Sequence, residues 1–186
     1  MSRDFGMAAL SIFFFVAIAC TPKASEVSAA KASKDRAAAL AKPLGGRLTS
    51  IRSLDSNKCL DASENSFNNG QKIVQLSCQV TPTQRWQIHA NGADNSTFVI
   101  RPDGGGDTVI DISRESGSVD VVLWKYTEGN VNQLWKIVDL GDLTYSIRSL
   151  ANLNKCLGFA EENTDDNSRL SLLDCSSAKN LRWSLN

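Results

Sequence analysis

The sequence contains a single histidine, His89, and no two cysteines in a CxxC spacing. Catalytic sets of the Ser-His-Asp and Cys-His types need a histidine beside the nucleophile, and His89, just after the "QRWQI" segment, has no evident second member. Zinc sites draw on histidines and closely spaced cysteines. These shortages predict a protein that is not an enzyme and that carries no metal and no cofactor.

An excess of positive charge is also missing, because the chain has 20 Lys and Arg against 20 Asp and Glu. Residues 21–47 carry six bases against two acids, whereas residues 48–186 carry 13 bases against 17 acids. A surface that binds nucleic acid needs a basic face to meet the phosphates. The acidic body of the chain therefore predicts no nucleic-acid partner.

Long apolar runs are scarce, and the one that stands out extends from Phe5 to Ala19. One Arg precedes it and small residues end it, which is typical of a secretory signal peptide over residues 1–19, and it is too short to span a bilayer convincingly. The next residue completes "AIAC", which resembles a bacterial lipobox and makes Cys20 a candidate for lipidation. Ordinary signal-peptide cleavage that leaves a free thiol is the alternative. We expect an exported protein, held at the bacterial outer membrane or cell surface as a lipoprotein, and otherwise periplasmic or secreted.

Aromatic residues are absent from residues 21–47, where Ala, Lys and Ser dominate. Such a segment buries too little apolar surface to order itself. We therefore predict a disordered tether over residues 20–47, which Pro43, Gly45 and Gly46 bring to an end.

Repetition is what the body of the chain has in abundance. The phrases "TSIRSLDSNKCLDAS", "TFVIRPDGGGDTVIDIS" and "TYSIRSLANLNKCLGFA" begin three units, over about residues 48–96, 97–143 and 144–186. Each unit closes on a tryptophan, namely Trp86, Trp135 and Trp183. Within each unit, short segments rich in Ile, Val and Leu alternate with clusters of Asn, Gly, Asp and Ser, which is typical of all-β proteins.

Three units of this length, with a "CLD"-like phrase and a closing Gln-x-Trp that becomes Leu-x-Trp in the third unit, resemble the ricin B-type lectin family over residues 48–186. The resemblance implies an all-β fold, a β-trefoil of three pseudo-symmetric repeats with a six-stranded barrel and three capping hairpins. A repeat of this size cannot bury its own apolar face, so its neighbours must complete the core.

Two of the repeats contain a pair of cysteines, and in both the two cysteines are 19 residues apart. In the aligned middle repeat, Val109 and Tyr126 stand at these places, so both cysteines are lost together. Joint loss is what a disulfide within each repeat predicts. Each bridge would contribute roughly 3 kcal/mol to a secreted domain. The predicted disulfides are Cys59–Cys78 and Cys156–Cys175.

The family resemblance implies a sugar site within a single repeat. An Asp accepts hydrogen bonds from sugar hydroxyls, an aromatic ring stacks on the apolar face of the sugar, and an Asn-Gln pair completes the site. The middle repeat supplies Asp111, Trp124, Asn132 and Gln133, and it departs from the family pattern at Val122, where the family often has Gln. The other repeats have no tryptophan matching Trp124, so the shared core does not require it. A partly exposed strand position for Trp124 and a turn-capping role for Asp111 are the alternative interpretations.

The other two repeats keep fewer of these residues. The first lacks the ring and forms at most a weak second carbohydrate site, with the residues Asp61, Gln75 and Gln84. The third has apolar or small residues at the places of the Asp, the ring and the Gln, and we predict no site there. Those residues are Gly158, Leu173 and Leu181.

The sequence thus predicts a non-catalytic carbohydrate-binding protein, whose partners are glycans or polysaccharide and, through an N-terminal lipid, a membrane. The "SIRSL" phrase and the degenerate trefoil are also similar to the lectin-type A and C subunits of cytolethal distending toxins. That second resemblance implies an alternative function as a scaffold subunit that binds protein partner chains.

Overall fold

The fold is given by a computed structural model, which describes residues 48–92, 96–113, 120–160 and 163–186. Thirteen β-strands and four short 3-10 turns form its regular structure. Within these ranges, no helical segment combines the length and the apolar character needed to cross a bilayer. The predicted all-β class is confirmed.

The strands are short and fall into three groups along the chain. The first group is β1 (Leu48–Thr49), β2 (Ile51–Ser53), β3 (Cys59–Ala62), β4 (Gln71–Leu76) and β5 (Trp86–Ala90). The second group is β6 (Phe98–Pro102), β7 (Thr108–Ile112), β8 (Val121–Lys125) and β9 (Trp135–Gly141). The third group is β10 (Thr144–Ser149), β11 (Lys155–Gly158), β12 (Ser171–Asp174) and β13 (Trp183–Leu185). The 3-10 turns are Ser63–Asn65, Pro82–Gln84, Val131–Gln133 and Lys179–Leu181.

One apolar core lies between the three groups, and its largest members are the closing tryptophans Trp86, Trp135 and Trp183, all fully buried. Each indole N–H donates to the carbonyl of the residue that follows the first cysteine position of its own repeat, at 3.0, 3.3 and 3.2 Å respectively. The three acceptors are Leu60, Ile110 and Leu157. Because a buried indole N–H needs a partner, this repeated bond fixes each closing strand against its hairpin and confirms the pseudo-threefold β-trefoil.

Both predicted disulfides are present, Cys59–Cys78 and Cys156–Cys175, with Cα–Cα distances of 5.0 and 5.1 Å. In the middle repeat, Val109 is fully buried in a small apolar cluster with Val99 and Leu134, and Tyr126 packs against that cluster. Apolar packing therefore holds the middle repeat together at the place where the other two repeats have a covalent bond.

The hairpins of the three repeats contact one another in a ring. In each contact, a residue near the outer end of one hairpin pairs with a strand residue of the next hairpin. The three equivalent pairs are Lys72↔Val122, Asp120↔Ser171 and Arg169↔Val74. Each repeat thereby places one charged residue beside the hairpin of its neighbour.

Candidate functional site

A buried carboxylate, that of Asp111 on β7, forms the base of the candidate site. Asp111 is 2 % exposed, and its Oδ2 accepts a hydrogen bond of 2.6 Å from Nε2 of the fully buried Gln133. The same amide nitrogen donates to the Lys125 carbonyl at 2.9 Å, and the Gln133 Oε1 accepts from the Thr127 backbone N–H at 2.8 Å. Gln133 therefore closes the loop after β8 and holds the carboxylate in one orientation.

Trp124 lies on the same face of the β7–β8 hairpin as Asp111. Asp111 pairs with Val122 and Val109 pairs with Trp124 in the antiparallel ladder. Because side chains two residues apart on a strand share a face, the indole and the carboxylate point to the same side. Trp124 is 43 % exposed, unlike the three closing tryptophans, so its ring is open to solvent.

A cavity of about 390 Å³ lies between these two residues. Its walls come from β4, β7 and β8 and the residues next to them, which are Gly70, Lys72, Asp111, Ile112, Ser113, Asp120, Val122 and Trp124. Lys72 belongs to the first repeat, and its side chain makes no hydrogen bond or ion pair with the described residues. Gly70, also of the first repeat, lies against the indole, since a Cβ there would be 3.8 Å from its Cζ3. The site is therefore built by two repeats, although the sequence places it within one.

A second amide group that reaches the Asp111 carboxylate belongs to Asn130. Its Nδ2 lies 3.4 Å from Oδ2 of Asp111, and its Oδ1 accepts from the backbone N–H of Asn132 at 3.3 Å. The predicted site residue Asn132 is half-buried, and neither it nor Gln133 lines the cavity. Asn130 precedes the 3-10 turn that carries Gln133, and asparagine is a preferred residue at such a cap, so the sequence held a signal for its position.

In the first repeat, Asp61 is 5 % exposed and accepts side-chain hydrogen bonds from Gln84 and Thr83. Burial raises the pKa of Asp61 above its ordinary value, and these two hydrogen bonds oppose that rise. Leu76, opposite Cys59, stands at the place of the Trp124 ring. The first repeat thus keeps the caged carboxylate but has no aromatic wall beside it.

Gln75, which the sequence assigns to a weak second site, lies on the opposite face of β4 from Val74, the partner of Asp61. It is fully buried, and its Nε2 donates to the carbonyls of Asn163 and Asp165 at 2.8 and 3.0 Å. Its Oε1 accepts from the Ser56 hydroxyl at 2.6 Å. The structure therefore assigns Gln75 to the contact between the first and third repeats.

The third repeat is filled where the middle repeat is open. A Cβ on Gly158, which stands at the place of Asp111, would lie 2.3 Å from Cδ2 of Leu181 and 2.8 Å from the Asn180 carbonyl oxygen. Leu181 stands at the place of Gln133 and is 3 % exposed. The Leu side chain therefore occupies the space that an aspartate needs, and the loss of the Asp and the loss of the Gln are coupled.

Three pseudo-symmetric repeats around one core, with an acid, an exposed indole and a cavity on one hairpin, define a β-trefoil of the lectin type. The chain matches the model of the ricin-type β-trefoil lectin domain over residues 47–183, and it belongs to that family.

Solved structures with the same fold include enzymes, lectins and a designed protein. The designed threefold-symmetric protein ThreeFoil is 25 % identical, with a TM-score of 0.67, and the match covers 74 % of this chain and 96 % of that one. An exo-β-1,3-galactanase from Clostridium thermocellum is 27 % identical, with a TM-score of 0.66, over 75 % of this chain and 30 % of the enzyme. The C-half of an earthworm R-type lectin, in complex with GalNAc, is 18 % identical, with a TM-score of 0.58, over 75 % and 98 % of the two chains. Among curated protein sequences none matches this chain.

Proposed function

We propose that this protein binds carbohydrate, without transforming it, in the cavity between Asp111 and Trp124 of the middle repeat. The observation that carries the proposal is that a fixed carboxylate and a solvent-exposed indole share one hairpin face and line one cavity. A sugar ring offers hydroxyl groups on its rim and C–H groups on its face. A site for it therefore needs hydrogen-bonding groups beside a flat apolar surface.

Each group has a distinct part in this proposal. The Asp111 carboxylate accepts hydrogen bonds from sugar hydroxyls, and Gln133 and Asn130 hold it in place for that purpose. The Trp124 indole stacks on the C–H face of the sugar. Lys72, from the first repeat, donates from its ammonium group to a hydroxyl or ring oxygen. The family resemblance assigns the same kind of donor role to Asn132, which lies in the turn that carries Gln133.

The size of the cavity fits a small ligand. At about 390 Å³ it falls near the lower end of the range of ligand pockets, roughly 300–1,000 Å³. The earthworm lectin of the same fold is solved with GalNAc, which supports a ligand of monosaccharide size. A single site of this kind binds weakly, so we expect effective binding to depend on many copies displayed together.

The test is a glycan-array screen of the oxidised protein beside its Trp124→Ala variant. The matched control is Leu76→Ala, which removes a side chain at the equivalent strand position of the first repeat. We expect Trp124→Ala to weaken binding by about tenfold or more, since a lost aromatic contact is worth roughly 1.5 kcal/mol and also loses buried area. The control should bind as the parent does.

Two results would count against the proposal. Equal binding by the parent, Trp124→Ala and Leu76→Ala, with both variants folded, would mean that binding does not use the Trp124 indole. Absence of binding by all three proteins would remove the sugar site and favour the scaffold function, with a search for protein partner chains as the next step.

We also propose that the protein is exported and anchored by a lipid on Cys20. Residues 1–47 lie outside the described residues, so this proposal is supported by the apolar run and the "AIAC" phrase of the sequence. Mass spectrometry of the mature N-terminus tests it. A lipid-modified Cys20 is the expected result, and an unmodified Cys20 would contradict it.

A further inference from the structure

Three arginines occupy equivalent places in the three repeats, each directly after the Ile of the opening phrase. In the first repeat, Nε of Arg52 donates to the Asn57 carbonyl at 2.8 Å. In the second, Arg101 donates to the Gly106 carbonyl at 3.2 Å and lies over the Tyr126 ring, with 5.1 Å between the guanidinium carbon and the ring centroid.

The third arginine, Arg148, differs from the other two. Its Nε is buried, and its side chain makes no hydrogen bond or ion pair with any described residue. A buried N–H without an acceptor is destabilising, because the group has lost its water and has gained no partner. The arrangement therefore carries a penalty that the equivalent arginines of the other repeats avoid.

The cause is one extra residue in the third repeat. Arg52 and Cys59 are seven positions apart, whereas Arg148 and Cys156 are eight positions apart. Asn57 has a left-handed backbone with φ of 62°, which turns its carbonyl toward the arginine, and Asn154 at the equivalent place is not among the residues with positive φ. The Asn154 carbonyl accepts instead from the Cys175 backbone N–H at 2.9 Å. The carbonyl that would accept from Arg148 is thus bonded to Cys175, the second cysteine of the disulfide in the third repeat.

A shallow cavity of about 370 Å³ lies at this arginine, separate from the cavity beside Trp124. Its wall contains three kinds of group. Arg148 supplies the guanidinium, Asn154 and Ser176 supply an amide and a hydroxyl, and Leu153 supplies an apolar side chain that is 45 % exposed. Asp174 also lines the cavity, but its carboxylate pairs with Lys155 at 2.8 Å. The local balance of charge is therefore positive.

We propose that this cavity is a second binding site, specific for an oxyanion, in which Arg148 is the main ligand-binding residue. A guanidinium presents a planar fork of N–H donors that matches a sulfate, phosphate or carboxylate group, and charge-assisted hydrogen bonds of this kind are the strong ones. Asn154 and Ser176 supply further polar groups around the anion. The oxyanion is either a substituent of a glycan or a free ion.

This site is separate from the proposed sugar site, and the two can be tested independently. None of the residues that line it belongs to the middle repeat, and none lines the cavity at Trp124. Binding of an anion at Arg148 therefore persists in the Trp124→Ala variant if the proposal is right, whether or not the protein binds neutral sugars.

The experiment is a titration of the oxidised, ¹⁵N-labelled protein with sodium sulfate at constant ionic strength, followed by two-dimensional NMR. The arginine Nε–H signals and the amide signals of Asn154 and Ser176 report on the site. The variant is Arg148→Gln, and the matched control is Arg52→Gln, which changes the equivalent arginine that already has its acceptor. We expect a saturable shift in the parent and in Arg52→Gln, and an affinity at least about tenfold lower in Arg148→Gln.

Equal titrations of the parent and Arg148→Gln, or small linear shifts of all arginines alike, would overturn the proposal. If Arg148→Gln fails to fold, Arg148→Lys takes its place, because it keeps the charge and loses the planar fork. Parent-like affinity in that variant would also overturn the role of the guanidinium. A parallel titration with galactose 6-sulfate separates the two sources. Tighter binding than that of sulfate supports a glycan substituent, and equal binding supports a free ion.

Discussion

The contact between Gly158 and Leu181 gives a prediction that tests why the third repeat lacks a cavity. In Gly158→Ala, the new Cβ would lie 2.3 Å from Cδ2 of Leu181. To reach the ordinary carbon separation of about 3.5–4.0 Å, one of the two atoms must move by roughly 1.2–1.7 Å. Leu181 is 3 % exposed, so its neighbours resist that movement, and overpacking of this kind costs about 1–3 kcal/mol.

The same substitution should cost much less when Leu181 has been shortened. Leu181→Ala alone leaves a cavity and costs about 2–5 kcal/mol, but it also removes the atom that the new Cβ at position 158 would meet. The Asn180 carbonyl oxygen, 2.8 Å from the new Cβ, remains, and it yields less readily because it belongs to the backbone. We therefore expect Gly158→Ala to cost about 1–2 kcal/mol less in the Leu181→Ala background than in the parent, and this difference is the coupling energy.

Urea unfolding of the parent, both single variants and the double variant, with the disulfides intact, measures this coupling. Equal slopes of the free energy against urea are required for the comparison. An equal cost of Gly158→Ala in the parent and in the Leu181→Ala background would contradict the proposed clash with Leu181. Residue 158 would then be constrained by the backbone at Asn180, and the Leu side chain would have no part in closing the third repeat.

Two further predictions concern stability. Burial raises the pKa of Asp61 above its ordinary value of 3.8, so the folded state favours the protonated acid. The stability that Asp61 contributes is therefore present below pH 3.8 and is lost as the pH rises through the folded-state pKa. Asp61→Asn should therefore raise the urea midpoint at pH 7 and lose this advantage toward pH 3.8, and a gain that grows on acidification would contradict the argument. Leu143 lies in the two-residue turn between β9 and β10, is 72 % exposed and has a φ of 59°. Leu143→Gly should therefore raise the free energy of unfolding by about 0.5–1 kcal/mol. An unchanged or lower urea midpoint would show that the leucine backbone is not strained there.

The repeat could be recognised in the sequence because the core of the trefoil needs the same residues in every copy. The closing tryptophans each require a partner for a buried N–H, so their spacing followed the fold and predicted the barrel. The disulfides followed for the same reason. Cys59 and Cys156 stand at equivalent places, and covalent geometry ties the position of each to that of its partner.

The site was less readable because its details depend on strand register and on neighbouring repeats. A shift of one residue in a strand reverses the face on which a side chain lies, and this is why Gln75 faces the third repeat and does not lie on the side of Asp61. Lys72 and Gly70 come from a hairpin some 40 residues away from Asp111 in the chain, and an alignment of one repeat with another contains no information about that contact. Asn130 was missed because it acts through the cap of a short turn.

The ring of contacts between hairpins limits how far the site can be reproduced by copying the middle repeat three times. Lys72, Asp120 and Arg169 occupy one equivalent position, and each faces the hairpin of the next repeat. A symmetric protein assembled from three copies of the middle repeat would therefore bring an aspartate, in place of Lys72, to every cavity. Such a protein would contain Asp111 and Trp124 in every repeat, but the charge opposite them would be negative and not positive. Its preference among ligands would therefore differ from that of the parent.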